Sequence, residues 1–545
     1  MVVTSRTVAE NAVCSREGFS RRRKRRESGI VCRDEVMRRL GRTASGAILH
    51  GGFPGERITL GSQAAAKPAL CNFFLKSRIN RPDIIPNVPG QAAIQDRVDS
   101  ALLRRSFRKA LPCAVRGEGA YLWDASGKRY LDFSGSAAVN FIGHGVAEIV
   151  SAMTEQARSL EFIHGSQFTT PIAEQYASEL LEFAGENFRG GAVYFCSGGS
   201  EAVETALKLA RQYQVEMGER QRSQIISREQ SYHGATLGAV AVSRNKLRRE
   251  IYRPMLREFV AVSAPYCYRC AFDCTDGCFN CGQQYAAEIE QAIADSEDRV
   301  AAVILEPVSG ATLGAVVPPK GYLERVAEVC RQRDVLLIAD EVMSGVGRTG
   351  CNFAVDHWGV APDILVTAKG LSSGYAPLGA LIVSKRVVDV IAYGSGSFIH
   401  GFTYSSHPIS LAAGRAVLNY ISQRKLVEAA HSGKEGAGKA LGEGLGRLFE
   451  HHCVGDVRGI GLLWAVEFVA DRASKQPFAS ELNFCGRVAQ AAISRGLLVY
   501  PVQGCANGDS GDHILIAPPA VISSEQVSWA VDQLAAAIDE STVRP

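Results

Sequence analysis

Between about residues 190 and 385, short unbroken apolar runs alternate with amphipathic stretches. The runs are Ala192–Cys196, Gln224–Ser227, Val300–Glu306, Val335–Ala339, Ile364–Thr367 and Gly379–Val383. Each has the length of a strand and reads as buried on both faces, not alternately wetted. Ser200–Val215 and Tyr322–Arg333 carry helical spacing between them. Strands alternating with helices predict an α/β domain around a mainly parallel sheet, with helices flanking it. In such sheets a ligand sits beyond the carboxyl ends of the strands, so the polar residues there are the first candidates for chemistry.

A smaller α/β domain built from both chain ends is expected beside it. Gly117–Phe133 alternates apolar and polar residues around the turn Asp124–Gly127, a hairpin pattern, and 145–185 follows with helical spacing. Beyond 405 come a helix over Pro408–Ile421, strands within Val454–Phe468 and a closing helix near Ser524–Ile538. The expected division is a poorly structured extension over 1–105, the N-terminal part of the small domain over 106–165, a large domain over 166–400, and the C-terminal part of the small domain over 401–545.

Composition narrows the function classes. With 46% hydrophobic and 21% charged residues the chain reads as an ordinary soluble globular protein, and no apolar run approaches bilayer length. A net charge of +4 is too small to argue for a polyanionic partner, so neither nucleic acid nor membrane is expected. The block Arg21, Arg22, Arg23, Lys24, Arg25 and Arg26 has two readings, a targeting or nucleic-acid segment and a solvated tail. Glu10, Glu17, Glu27, Asp34 and Glu35 around it argue against a clean transit peptide and favour the tail. Fifteen cysteines without a secretory signal fit a reducing compartment. The cytoplasm is expected, with organellar targeting by the basic tail as the other reading.

Three strand ends carry candidate chemistry. After Cys196, Ser197-Gly198-Gly199-Ser200 makes a glycine-rich turn into a helix. Helix-start N–H groups attract anions, although such turns are commonly plain connections. Ile338-Ala339-Asp340-Glu341 ends a buried strand on two acids; Asp340 is placed to hold a proton on a heterocycle nitrogen, or else the pair is a cap or an ion pair. Ile364-Leu365-Val366-Thr367-Ala368-Lys369 ends the next strand on a lysine among small residues. A lysine there is commonly a plain surface charge, but it stands where ligands bind, one strand along from Asp340, and partial burial would lower its pKa and make its amine a nucleophile.

In this order and spacing the strings closely resemble the class III, fold type I aminotransferases, which depend on pyridoxal 5′-phosphate. The resemblance covers about 105–540 and includes Ser-Gly-Gly-Ser-Glu-Ala (197–202), Ser-Tyr-His-Gly (231–234), Leu-Glu-Pro (305–307), Ala-Asp-Glu-Val (339–342), Gly-Arg-Thr-Gly (347–350) and His-Gly-Phe-Thr-Tyr (400–404). It implies that Lys369 carries the cofactor as a Schiff base and then moves the substrate proton. Asp340 would pair with the ring nitrogen, Val342 and Tyr232 would cover the two ring faces, and Gly199 and Ser200 would bind the phosphate through backbone N–H groups. Thr403 would reach the phosphate in the neighbouring subunit, so a homodimer or larger homo-oligomer is expected. Glu306 would support the site, and Arg458 matches the arginine that binds a substrate carboxylate.

Departures from the family pattern bear on substrate. Relatives acting on ornithine or 4-aminobutyrate carry arginine where this chain has Ala235. The ornithine-type glutamate that covers the Arg458 equivalent is Ala311 here, and a frequent glutamine near the cofactor is Met343. The nearest resemblance is therefore to the ω-aminotransferases, with an ω-amine or ω-amino acid donor, a pyruvate-like 2-oxo acid acceptor and a ping-pong mechanism. A lyase, racemase or aminomutase on the same scaffold is the alternative; a catalytically silent binding relative is disfavoured by the presence of Lys369 and Asp340.

One segment lies outside the family pattern. Cys267, Cys270, Cys278 and Cys281 form two C-x-x-C pairs, with Cys274 in excess. Four thiolates would suit a structural zinc or an iron–sulfur cluster, although the linker is short; the other reading is a loop of buried thiols.

Overall fold

The computed structural model describes residues 101–107, 111–272 and 280–542. The arginine block at 21–26, Cys274 and Cys278 lie outside the described residues. The elements belong to the compact unit that begins at Arg104. Near its start, β2 (Tyr121–Asp124) and β3 (Arg129–Asp132) form the hairpin that the alternating pattern predicts, and β1 (Ala114–Glu118) pairs with β2 to extend it to a three-stranded antiparallel meander. The Asp124 carboxylate accepts the Ser126 N–H at 2.9 Å and the Tyr130 hydroxyl at 2.6 Å, which fixes the β2–β3 turn.

The central sheet contains β4 (Ala192–Cys196), β5 (Gln224–Arg228), β6 (Val260–Val262), β7 (Val300–Leu305), β8 (Leu336–Asp340), β9 (Ile364–Thr367) and β10 (Gly379–Val383). Its order is β4-β10-β9-β8-β7-β5-β6. Only β10 runs against its neighbours among these strands; β9, β8, β7, β5 and β6 pair in parallel. Every residue of β7, β8, β9 and β10 is buried, which is why these strands read as unbroken apolar runs. The three-residue β6 is an addition to the expected strands, because an edge strand so short has no periodicity to read.

Helix α1 (Gly199–Glu216) follows β4 and buries Ala202, Val203, Ala206, Leu209, Ala210 and Tyr213, the stripe that faces the sheet. Gly379, which opens β10, stands beside this turn. A Cβ there would lie 2.6 Å from the Gly198 carbonyl oxygen, so only glycine lets the two backbones approach.

Late in the chain, β11 (Val454–Ile460), β12 (Leu463–Phe468), β14 (Tyr500–Gln503) and β15 (Asp512–Ile516) form an antiparallel sheet in the order β11-β12-β15-β14. The short β13 (Leu497–Leu498) instead joins the N-terminal meander, pairing in parallel with β3. Residues from both chain ends thus share one sheet. No helix among the described residues is long and apolar enough to cross a membrane.

Candidate active site

The carboxyl ends of the central strands deliver their polar residues to one cavity of about 470 Å³. Its lining includes Ser197 and Gly199 after β4, Tyr232 and His233 after β5, Glu306 after β7, Asp340 and Val342 after β8, and Lys369 after β9. These are the ends where the strand pattern locates a ligand. Of the expected site residues, Lys369, Asp340, Gly199, Ser200, Tyr232, Val342 and Glu306 come together here.

Lys369 follows Thr367 by one small residue, and its backbone is in the left-handed region at φ +44°. A lysine held there is locally strained, a conformation that concentrates at functional sites. Burial lowers its pKa from 10.5 to about 8, even though Asp340 and Glu306 favour the charged amine; Arg248 and Arg348 add to the depression. The amine is therefore much closer to its neutral, nucleophilic form near pH 8 than an ordinary lysine.

Asp340 is 4% exposed. Its Oδ1 accepts the Val342 N–H at 3.1 Å, and its Oδ2 lies 2.7 Å from His233 Nδ1. An ionised carboxylate can only accept, so Nδ1 carries the hydrogen and the imidazole tautomer is fixed. His233 Nε2 is then a buried atom with no hydrogen-bond partner among the described residues, as is Glu306 Oε2. The Ser243 hydroxyl anchors this segment by accepting the His233 backbone N–H at 2.7 Å. Glu306 Oε1 accepts the Gly310 N–H at 3.0 Å. Burial raises the Glu306 pKa, with His233 and Arg228 opposing the rise. Glu341, next to Asp340, turns away from the cavity: it accepts the Ser344 hydroxyl and, at 2.9 Å, the Val355 N–H.

At the start of α1 the first N–H groups have no partner within the helix. A Cβ on Gly199 would meet Val342 Cγ1 at 3.0 Å, so the glycine keeps the space between the helix start and Val342 open. Ser200 Oγ accepts the Ala235 N–H at 3.0 Å and so ties the turn to the Tyr-His-Gly segment. Ala311 and Met343 both line the cavity, and the lining contains no arginine.

Arg458 is not brought to this cavity. It borders a different one with Tyr266, Asp456 and Trp464. Its Nε donates to the Gly314 carbonyl at 2.7 Å, Nη2 donates to the Leu313 carbonyl, and Nη1 lies 2.8 Å from Asp456 Oδ2 and 2.9 Å from Glu467 Oε2. The Tyr266 ring lies 4.7 Å from its Cζ. Burial works against its charge, but Tyr266, Glu467 and Asp456 more than offset this and raise its pKa. The absence of a glutamate at Ala311 therefore does not leave Arg458 uncovered; acids of β11 and β12 cover it.

Thr403 is exposed and outside the cavity, with Tyr404 and Ile399 exposed near it in sequence. In the cysteine segment, the Sγ atoms of Cys267 and Cys281 are 3.8 Å apart, and the Tyr285 hydroxyl donates to Cys270 Sγ at 3.5 Å. Among the described residues no three His, Cys, Asp or Glu side chains gather as metal ligands, so the expected zinc or iron–sulfur set has no support there. Cys278 is not among them.

His233 and Arg248 carry no role that sequence reasoning assigns. The first stands in the motif Ser-Tyr-His-Gly, but only its distance to Asp340 gives it one. Arg248 has no signal in the sequence; its Cζ lies 4.5 Å from the centre of the Tyr232 ring.

The sequence profile described as aminotransferase class-III matches residues 104–538. An uncharacterized aminotransferase of Bacillus subtilis, YodT, is 39% identical over 433 residues, covering 79% of this chain and 95% of the relative. Two relatives are named for different acceptors. A putrescine–pyruvate aminotransferase of Pseudomonas aeruginosa is 34% identical, covering 78% of this chain and 91% of its own. A diaminobutyrate–2-oxoglutarate transaminase of Halomonas elongata is 35% identical, covering 78% and 90%. The crystal structure of an (S)-enantioselective ω-transaminase from Thermomicrobium roseum superposes with a TM-score of 0.75 at 34% identity, covering 84% of this chain and 100% of that one. With the profile spanning nearly all of the described residues, this chain belongs to the class-III aminotransferases.

Proposed function

We propose that this aminotransferase moves an amino group from an ω-amine or ω-amino acid to a pyruvate-like 2-oxo acid, in two half-reactions at the cavity around Lys369. The observation that carries the donor assignment is the cavity wall. Ala311 and Met343 line it, Lys369 is the only lysine or arginine among its lining residues, and the wall offers no cationic clamp for a second carboxylate. The similarity to a putrescine–pyruvate aminotransferase agrees with an amine donor.

The family implies pyridoxal phosphate, and the residues fit it. The opening kept by Gly199 beside the N-terminus of α1 suits a phosphate. The buried Asp340 carboxylate, with one oxygen held by His233, suits a protonated ring nitrogen. Val342 and Tyr232 would cover the ring faces, and Thr403 of a second copy would complete the phosphate site. The exposed Tyr404 and Ile399 support a homodimer that covers this face. Bound pyridoxal phosphate supplies an electron sink for the carbon that bears the amino group.

The chain's own groups do the rest. Lys369 Nζ, neutral in a large fraction near pH 8, removes the proton from the amine-bearing carbon and returns it when the oxo acid is converted. His233 holds the Asp340 carboxylate in place through Nδ1–H. No step calls on a metal.

The test is a substrate panel on purified holoenzyme with quantification of both products. Turnover of ω-amines with pyruvate, consuming one oxo acid per amine, is expected. Robust turnover of ornithine or 4-aminobutyrate with 2-oxoglutarate, and none with pyruvate, would overturn the substrate assignment. Amine conversion without oxo acid consumption would point to a lyase or isomerase.

A further inference from the structure

A transaminase of this kind must hold at least one carboxylate, that of its oxo acid, yet the cavity wall carries no arginine and Arg458 is fully engaged elsewhere. Arg248 is the basic residue near the site without a counter-charge among the described residues. It lies in the short helix Lys246–Arg249, between basic neighbours that are all paired. Arg244 meets Glu229 and Glu258, Lys246 meets Asp509 at 2.5 Å, and Arg249 meets Glu258 at 2.6 Å. The Arg248 guanidinium has no ion pair or hydrogen bond among the described residues. It packs instead on Tyr232, whose ring lines the cavity and lies 4.5 Å from the Arg248 Cζ.

Arg248 does not itself line the cavity, but its charge is felt by groups in and behind the wall. Arg248 is among the groups that push down the pKa of Lys369, and it does the same to the buried His513, whose Nε2 lies 2.9 Å from the carbonyl oxygen of the cavity residue Ala311. Arg248 is half-buried, which weakens competition from bulk water without removing access. Stacking on an aromatic face fixes the plane of its donor fork, the arrangement that suits a carboxylate.

We propose that Arg248, held on the face of Tyr232, is the residue that binds the carboxylate of the oxo acid acceptor. Resting on the transaminase reading above, this assigns the carboxylate subsite to a position that neither Arg458 nor the missing clamp at Ala235 provides. An acceptor with its carboxylate next to the carbonyl is engaged by Arg248, whereas an amine donor without a carboxylate makes no use of it.

The test compares wild-type holoenzyme with Arg248→Met, which keeps much of the stem's packing on Tyr232, and with Arg248→Lys. Losing a charge-assisted bidentate contact raises the KM for pyruvate by about 10- to 100-fold in Arg248→Met. The KM for a carboxylate-free amine moves by far less, and Arg248→Lys recovers part of the pyruvate affinity. A second readout needs no turnover: calorimetric binding of propionate, an unreactive carboxylate, is expected with wild type and lost in Arg248→Met. Unchanged pyruvate KM and propionate affinity in Arg248→Met would overturn the assignment, as would equal losses for amine and pyruvate, which would mark a packing role behind Tyr232. A wild-type enzyme that binds propionate through Arg248 but transfers no amino group would instead overturn the transaminase reading.

Discussion

His233 Nδ1 and Asp340 Oδ2 lie 2.7 Å apart at the cavity wall, with both residues almost wholly shielded from solvent. They come from the ends of strands separated by β7, and the parallel sheet alone brings them together. Replacing His233 by Ala leaves the buried Asp340 Oδ2 without its donor, which costs about 1–3 kcal/mol. Denaturant unfolding of the cofactor-free protein is expected to show this loss, while His233→Asn, which retains an N–H donor, is expected to recover part of it.

Lys369 provides a pH signature. Its ordinary pKa of 10.5 falls to about 8 on folding, mainly through burial. Between those two values the unfolded chain binds more protons than the folded one, so the Lys369 contribution to stability rises with pH across this window. Below it, the folded state carries the full penalty of a buried charge. In cofactor-free protein, modification of Lys369 by an amine-directed reagent, followed by peptide mapping, is expected to have its midpoint near pH 8. A midpoint near 10.5 would contradict the burial argument. Lys369→Ala is expected to lower transamination by about 10²–10⁴-fold while leaving the fold intact, as checked by circular dichroism.

Gly199 and Val342 form a steric pair. Gly199→Ala puts a Cβ 3.0 Å from Val342 Cγ1, which forces the helix start or the cavity wall to shift. The expected result is a cofactor dissociation constant raised by about tenfold, equivalent to about 1.4 kcal/mol. Adding Val342→Ala to this variant removes the contacting methyls and should restore part of the affinity in a cofactor titration.

Glu467 holds two arginines. It lies 2.7 Å from Arg269 Nε and 2.9 Å from Arg458 Nη1, and it is fully buried. Across the β11–β12 ladder it stands opposite Asp456, so Arg458 Nη1 separates two acids that would otherwise repel. Glu467→Ala strands buried guanidinium charge and is expected to cost about 3–5 kcal/mol in denaturant unfolding.

The parts of the fold that depend on local pattern are legible in the residues themselves. Ile364–Thr367 and Gly379–Val383 are continuous apolar runs because both faces of their strands are covered, and both strands have the expected bounds. Val260–Val262 is not legible, since three residues at a sheet edge are too few to show a period. Within the site, Lys369 and Asp340 can be located because each ends a recognisable strand. The partnership of His233 with Asp340 depends on which strands become neighbours in space. The environment of Arg458 is illegible for a related reason: Glu467, which neutralises it, comes from the next strand in a register that the residue pattern does not specify. Arg248 sits in a short helix with several basic residues, and only the pairing of its neighbours sets it apart.

Passage of an amino group from an amine to an oxo acid in the cavity around Lys369 is tested most directly by the visible absorbance of purified holoenzyme. Addition of an ω-amine alone is expected to bleach the band of the bound cofactor, and subsequent addition of pyruvate is expected to restore it. A band that survives the amine, or that bleaches and is restored by no oxo acid, would contradict that transfer.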